Sequence, residues 1–262
     1  MSTLSGKDEV LFYQRLSELC ERAVGRYCPE FTHFLDGREL SLAKDFLKKQ
    51  SGARIVCYGG FVGAERCVVG IFPEDIYSES PEDELCSMFD ISGVVISGSG
   101  FSKFSHRDVS GSVLALGVKR ETMGDIYVDQ SENKAYICMS NVAASYVCDS
   151  LEFVSRDKVK CRLIEALSLP VPERKFAPIS GTVASERLDC IISLVTKTSR
   201  EKAKTMITSG LVSVNHVPEV RSDALLSVDD LLSVRGYGRF KIITLGDLTR
   251  KGRSRIVVHK MI

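Results

Sequence analysis

Between residues 88 and 166, two hydrophobic periods alternate in a fixed order. Apolar and β-branched runs predict strands at 90–97, 125–129, 134–139 and 158–166, and three-to-four spacing predicts helices at 106–117 and 141–151. A turn at Gln130–Asn133 separates the two middle strands. The order β-α-β-β-α-β is the split βαβ arrangement of the ferredoxin-like fold, on which the RNA-recognition-motif domain is also built. These residues are therefore predicted to form a ferredoxin-like (RNA-recognition-motif-like) middle domain.

The residues before this block are predicted to be helical and then to form a hairpin. Apolar residues recur at helical spacing through residues 6–50, with a break at Pro29. From Arg54 to Phe72 the period changes to two, with a loop around Gly63, which favours a β-hairpin. The acidic stretch from Pro73 to Glu84 is predicted to be a solvated loop.

Two short helices, a strand and a hairpin are predicted after residue 184. Ser185 is the expected N-cap of the first helix, and a capping box at 198–201 is expected to begin the second. The second helix is predicted to bury Ala203 and Ile207 and to end at Gly210. A short strand at 212–214, a turn at 215–216 and a hairpin at 231–244 complete the pattern.

The chain is thus predicted to have an α+β fold built from four segments. They are a helical N-terminal region plus β-hairpin (1–84), the ferredoxin-like middle domain (85–170), a Pro-rich connector (171–183) and a C-terminal domain (184–262). The connector is assigned because residues 170–178 contain three of the seven prolines.

Charge is distributed unevenly between the two ends of the chain. Residues 1–150 carry 15 Lys and Arg against 22 Asp and Glu, whereas residues 184–262 carry 14 against 8. The basic end is suited to an anionic partner, and the acidic half is suited to a protein partner. Arg and Lys beside glycines on the predicted helices and hairpin fit a phosphate backbone, although spacing alone leaves a solvated charged face equally open.

Cysteine spacing argues against a metal or redox site. The nine cysteines include no Cys-x-x-Cys pair, so no metal and no cofactor is expected, and most are predicted to be buried small hydrophobic residues. The N-terminus has no apolar signal region, and no apolar run approaches the ~20 residues of a membrane span. A cytoplasmic location without membrane contact is expected.

Three separated C-terminal motifs resemble the RNA-binding domain named for small-subunit ribosomal protein S-four. They are Arg187-Leu188-Asp189, the run from Ser199 to Asn215, and Val234 to Phe240. The resemblance implies that Arg187, Ser199, Arg200, Arg235 and Arg239 face RNA. With their neighbours, the predicted RNA-binding residues are Arg187, Lys197, Ser199, Arg200, Lys204, Asn215, Arg235, Gly236, Tyr237, Gly238, Arg239 and Lys241.

A second block, from Ser105 to Ile126, is similar to the central part of the bacterial YlmH family, in which a ferredoxin-like domain precedes an S-four-like domain. The resemblance implies structured RNA (rRNA or tRNA) and the large ribosomal subunit as partners, in ribosome-associated quality control of stalled chains. One departure is Val228-Asp229-Asp230, where the S-four domain usually has a Gly-Asp pair. This change is expected to alter one turn only.

Two alternatives remain beside this interpretation. A pseudouridine synthase also joins an S-four-like domain to a mixed α/β body, but there the S-four domain comes first. No nucleophile with a base and an orienting group is evident, so no catalytic residue is predicted. The second alternative is an adaptor whose acidic half binds a protein such as a cell-division factor.

The middle domain is predicted to lack stacking aromatics, because its first strand has none and its third offers only Tyr136. Any RNA contact in this domain is instead expected around its first helix, at His106, Arg107, Lys119 and Arg120.

Overall fold

The computed structural model describes residues 6–171, 176–248 and 252–261, and it has an α+β fold. The described chain divides into two compact units, with the boundary between Val171 and Phe176. Among the described residues, no helix is both long and apolar enough to cross a bilayer.

The N-terminal region of the first unit packs helices on a small antiparallel sheet. Its elements are α1 (Gly6–Arg26), β1 (Glu30–Phe31), α2 (Gly37–Leu47), β2 (Ala53–Tyr58) and β3 (Val68–Pro73), and the sheet order is β1-β3-β2. The predicted hairpin is confirmed, since β2 and β3 pair in antiparallel register. The apolar side of α1, including Leu16 and Ala23, is buried against Val69 and Ile71 of β3.

The prediction of a solvated loop from Pro73 to Glu84 is wrong. The structure has two short helices there, α3 (Glu74–Tyr77) and α4 (Glu82–Ser87). The N-cap residue of each helix is a proline, Pro73 or Pro81. Acidic residues in the first turn of each helix complement the partial positive charge of the helix N-terminus. Burial of Leu85 and Cys86 in the core then stabilises α4.

The middle part of the first unit has the predicted β-α-β-β-α-β order. Its elements are β4 (Ile91–Gly98), α5 (His106–Ala115), β5 (Met123–Asp129), β6 (Lys134–Ser140), α6 (Asn141–Ser150), β7 (Phe153–Val154) and β8 (Asp157–Glu165). The antiparallel sheet order β5-β6-β4-β8-β7 places the first and third long strands at the centre, as in the ferredoxin-like fold. A capping box between Ser105 and Asp108 begins α5.

The two faces of this sheet are covered differently. Helices α5 and α6 bury one face, where Val94 and Ile96 of β4 pack with Val113 and Val147. The N-terminal region covers part of the other face, and its approach is so close that a Cβ on Gly60 would lie 2.7 Å from Leu169 Cδ1. Elsewhere on that second face, Tyr127 and Tyr136 are partly exposed, Arg162 is exposed and Val95 is buried.

The second unit is a six-stranded antiparallel sheet covered by two helices. Its elements are β9 (Phe176–Val183), α7 (Leu188–Thr196), α8 (Arg200–Thr208), β10 (Val212–Val214), β11 (Val217–Pro218), β12 (Leu231–Val234), β13 (Gly238–Leu248) and β14 (Ser254–Met261). The sheet order is β11-β10-β12-β13-β14-β9. The predicted strand at 212–214, the 231–244 hairpin and the burial of Ala203 and Ile207 are confirmed.

Three expectations for this part of the chain require correction. Most of the predicted connector 171–183 is strand β9, because residues 176–183 pair with β14 along their whole length; residues 172–175 lie outside the described residues. Ser185 is not a helix N-cap, since α7 begins after Arg187. Thr198 is not the N-cap of α8; Ser199 has that position, and its hydroxyl accepts from the Lys202 amide.

Candidate nucleic-acid interface

A buried carboxylate joins the beginnings of α7 and α8. Asp189, in the first turn of α7, is fully buried and accepts a hydrogen bond from Arg200 Nε at 3.0 Å. It also accepts from Arg187 Nε at 3.3 Å and Nη2 at 3.5 Å. The side chains of the two arginines are more than one-third exposed. Each guanidinium is therefore fixed by its hydrogen bond to the buried carboxylate and remains accessible to solvent.

Hydrogen bonding sets the charge state of this group. Burial by itself raises the pKa of the Asp189 carboxyl, but hydrogen bonds and positive charge from Arg200 and Arg187 outweigh burial and hold the pKa below its ordinary value. The carboxylate is therefore ionised at neutral pH. The sequence shows Asp189 only as the last residue of the Arg187-Leu188-Asp189 motif, and its burial beneath two arginines is evident only in the tertiary structure.

Further cations extend this surface along α8. Lys197 is exposed in the turn between the helices, with a left-handed φ of 54°. Lys204 lies one helical turn beyond Arg200 and pairs with Glu201 at 3.4 Å, on the exposed side of the helix. The predicted end of the helix at Gly210 is confirmed by a φ of 69° just past the C-cap residue.

The β12–β13 hairpin turn lies beside the other end of α8. The Arg235 amide donates to the carbonyl of Leu211, which follows that end, at 2.9 Å, and the Arg235 side chain is exposed. Gly236 and Gly238 have φ values of 85° and 112°, which confirms that the turn requires glycine conformations. Tyr237 packs against the hydrophobic core and supports the turn from inside.

The structure does not bring all predicted residues onto one face. Phe240 of β13 is buried beneath the helices, so Arg239 and Lys241 on either side of it lie on the opposite face of the sheet. Lys241 there forms an ion pair with Asp229 at 2.9 Å. The helix side therefore presents Arg187, Lys197, Arg200, Lys204 and Arg235, which we call the helix-side surface.

Asn215 has a structural position in a turn. It adopts a left-handed φ of 47°, its Nδ2 donates to Asp230 Oδ1 at 2.7 Å, and its Oδ1 accepts from the Leu231 amide at 2.9 Å. Asp229 has a φ of 71° at the site where the S-four pattern usually has glycine. Asp229 thus keeps the left-handed conformation that glycine would adopt, in a turn that pairs with Lys241 on the sheet face away from α7 and α8.

The predicted second contact on the middle domain is not one cluster. His106 and Arg107 are exposed at the first turn of α5, whereas Lys119 and Arg120 are exposed beyond its last turn, about 15 Å along the helix axis. Arg120 reaches back to the Ser110 hydroxyl at 3.4 Å. The two pairs are attached at opposite ends of α5, and the Arg120 side chain extends back to the middle of the helix.

Metal binding finds no support in the described part of the chain, where no three His, Cys, Asp or Glu side chains are grouped to hold an ion.

Comparison with known families agrees with this arrangement. Residues 86–167 match the family model described as "Putative RNA-binding domain in YlmH", and residues 9–76 match "YlmH, N-terminal". The two matches together span more than half of the chain and lie in the expected order. The chain belongs to the YlmH family.

Relatives of this YlmH-family chain are known from two bacteria. "Ribosome-associated protein quality control protein P2" of Bacillus subtilis is 28% identical over 254 residues, which cover 97% of this chain and 96% of the relative. A solved structure, "Cell division protein ylmH from Streptococcus pneumoniae", is 24% identical with a TM-score of 0.48, covering 63% of this chain and 94% of its own. Both family matches lie before residue 168, so the likeness of the second unit to the S-four domain stays a prediction from its motifs.

Proposed function

We propose that this YlmH-family protein is a non-catalytic RNA-binding protein that acts on the large ribosomal subunit, in the quality control of stalled chains. The observation that carries the proposal is the pair of arginines held open to solvent by the buried Asp189. The name of the Bacillus subtilis relative and the description of the 86–167 match support the same assignment.

The helix-side surface fits a phosphate backbone. A guanidinium offers two parallel donors to phosphate oxygens, and Arg187 and Arg200 are already fixed in direction by Asp189, so little side-chain entropy is lost on binding. A depression of about 360 Å³ beside Arg200, lined also by Thr182, Ser193 and Arg253, gives room for a phosphate group. Lys204 and Arg235 continue the positive charge along about 13 Å of α8.

Selective binding to one rRNA or tRNA site requires contacts beyond those to phosphates, because phosphate contacts position a protein on RNA without distinguishing its sequence. We propose that the exposed cations at the two ends of α5 add a second, weaker contact. Two weak contacts on one chain reinforce each other through effective concentration. Arg239 and Lys241 stay predicted RNA contacts on the other sheet face.

The two fully buried carboxylates cannot serve as the catalytic aspartate of a pseudouridine synthase, because that group must reach its substrate. Among the described residues these carboxylates are Asp157 and Asp189. Asp157 accepts from Ser99 and Asn133, and Asp189 accepts from its two arginines. Both groups therefore stabilise the fold around them.

Gradient fractionation of tagged protein tests the proposal, with and without a message that stalls translation. Wild type should co-sediment with large subunits, more strongly on stalling, and Lys204→Glu combined with Arg235→Glu should shift the protein to the top of the gradient. Arg200→Glu is a poorer variant, since it places a second carboxylate against Asp189.

Arg255→Glu is the matched control, because Arg255 is exposed on β14 between the buried Ser254 and Ile256, on the sheet face away from α8. It should sediment like wild type. With a purified RNA hairpin, each lost phosphate contact should flatten the slope of log K against log salt by about 0.7–0.9. Wild type that stays at the top of the gradient under both conditions would contradict the ribosomal assignment.

A further inference from the structure

One part of the middle sheet is covered by neither helix and only in part by the N-terminal region, against whose core Tyr136 packs. Cross-strand register places Tyr127 of β5, Tyr136 of β6, Val95 of β4 and Arg162 of β8 side by side in one row. Their neighbours Val94, Ile137 and Cys161 pack on the helix side, so the row lies on the opposite face. We call this row and the exposed cations of β8 the open sheet face.

Two tyrosine rings form one end of this face. The rings of Tyr127 and Tyr136 are nearly parallel, with an interplanar angle of 19° and centroids 5.9 Å apart. Both side chains are half-buried, so the rings are anchored and still reach solvent. Sequence reasoning saw Tyr136 alone, because Tyr127 lies on the second strand and comes next to it only through the β5–β6 pairing.

Basic side chains occupy the other end. Lys158, Lys160 and Arg162 alternate along β8, so all three share the face of the tyrosines, and all are exposed. None of the three forms an ion pair with a described residue. This basic strand stands out because residues 1–150 before it have seven more acidic than basic side chains.

A shallow depression lies between the two ends. It has a volume of about 520 Å³, and its lining includes Val95, Tyr136, Arg162, Ile164, Glu165 and Pro170. Ligand pockets commonly have volumes of about 300–1,000 Å³. An apolar floor between an aromatic ring and a guanidinium suits a planar, partly polar ring system with a negative charge attached.

We infer that the open sheet face binds single-stranded RNA, with bases stacked on Tyr136 and Tyr127 and phosphates along β8. Stacking on aromatic side chains beside a positively charged groove is how proteins hold unpaired strands, whereas the bases of a duplex are already stacked on each other. The tyrosines lie on the second and third strands of the domain, whereas the sequence analysis looked for stacking aromatics on the first and third strands. The inference deepens the proposed RNA-binding function and rests on it.

The first test uses the full chain and a labelled oligouridylate of about ten nucleotides, which has little structure of its own. Tyr136→Ala should weaken binding about tenfold, as expected for the loss of one stacked base. Tyr136→Phe should bind within about twofold of wild type, since the ring is kept. Tyr146→Ala is the control, because the Tyr146 side chain is exposed on α6, on the other side of the sheet. This variant should bind like wild type.

A charge variant tests the other end of the face and does not depend on the tyrosine packing. Arg162→Glu should weaken oligouridylate binding and flatten its salt slope by about 0.7. Arg15→Glu, a change at an exposed arginine of α1, should leave oligouridylate binding unchanged. Equal losses for the two variants would overturn the assignment of the face.

Stacking can be read directly, because the chain contains no tryptophan. Tyr136→Trp introduces one fluorophore, whose emission should be quenched by oligouridylate and not by a blunt RNA duplex. Wild type that binds an RNA hairpin through Lys204 and Arg235 but fails to bind oligouridylate would overturn this inference and leave the proposed function standing. If oligouridylate binding requires Tyr136 but the RNA hairpin does not bind, the assignment of the helix-side surface is overturned and the open sheet face is supported. A Tyr136→Phe loss as large as that of Tyr136→Ala would also overturn it.

Discussion

Asp189 illustrates how one buried side chain controls the direction of two exposed ones. Its carboxylate receives hydrogen bonds from Arg187 and Arg200, which come from the beginnings of two different helices. The ion pairs therefore tie α7 to α8 and at the same time orient the two cations at the surface. Packing and the proposed RNA binding therefore depend on the same atoms.

We expect Asp189→Asn to lower the free energy of unfolding by about 1.5–3 kcal/mol, because hydrogen bonds to a charged group are lost. The native pKa of Asp189 lies below its unfolded value. Its contribution to stability is therefore present above the unfolded pKa and is lost as pH falls through the native pKa. Urea unfolding between pH 7 and pH 3 should show wild type and variant converging at low pH.

Asp223→Asn is a suitable control for this measurement, because Asp223 is exposed in the neighbouring loop. Its unfolding free energy should match that of wild type at each pH. A constant difference between Asp189→Asn and wild type across the pH range would contradict the role assigned to the ionised carboxylate.

Thiol reactivity should follow burial. Cys28 is the one cysteine of the nine that is fully exposed, and five others are buried. Burial raises the pKa of Cys86 to about 11 and that of Cys67 to about 12, which removes the reactive thiolate at neutral pH. Iodoacetamide followed by mass spectrometry should modify Cys28 first and Cys67 only after denaturation. Rapid labelling of Cys67 in the native protein would show that the β3 hairpin opens.

At the scale of single elements, the β12–β13 turn connects backbone conformation to the proposed RNA binding. Gly236 and Gly238 both have positive φ, which L-residues adopt at a cost of about 1–2 kcal/mol each. We expect Gly236→Val with Gly238→Val to weaken hairpin RNA binding without removing any charge, since the turn no longer holds Arg235 beside the end of α8. Filter binding at several salt concentrations should show the slope reduced by about 0.7–0.9.

The control for the turn variant is Gly111→Ala in α5, where no heavy atom lies within 4 Å of the added Cβ and φ is helical. This change should stabilise the protein by about 1 kcal/mol, because alanine favours a helix. Wild-type RNA affinity in the folded glycine double variant would mean that Arg235 is not aimed by the turn.

At the scale of the whole molecule, the boundary between the two units decides which fragments can fold. Strand β9 forms one edge of the second sheet and pairs with β14 at eight consecutive positions. We expect a fragment that begins at residue 173 to fold and to bind hairpin RNA, and one that begins at residue 184 to be less stable. Loss of β9 exposes the hydrogen-bonding edge of β14, which invites aggregation.

Urea unfolding measures the stability of the fragments that begin at residues 173 and 184, and filter binding measures their affinity for hairpin RNA. A fragment of residues 1–172 is the third sample. The 1–172 fragment should bind hairpin RNA weakly, because the exposed cations at the two ends of α5 are far apart and the overall charge of the fragment is negative. Equal stability of the fragments that begin at 173 and 184, or equal hairpin affinity of the two units, would contradict this division of roles.

The sequence by itself determined the local elements and their order. Helices at 106–115 and 200–208, the β2–β3 and β12–β13 hairpins and the β-α-β-β-α-β order were predictable, because hydrophobic period, capping and turn residues act over a few positions. Only the tertiary structure decided which distant segments meet. The pairing of β9 with β14, the position of Arg239 on the opposite face from Arg200, and the neighbouring rings of Tyr127 and Tyr136 all depend on strand register. Register is set by the packing of the whole core, and a shift of one residue would move each of these side chains to the other face of its sheet.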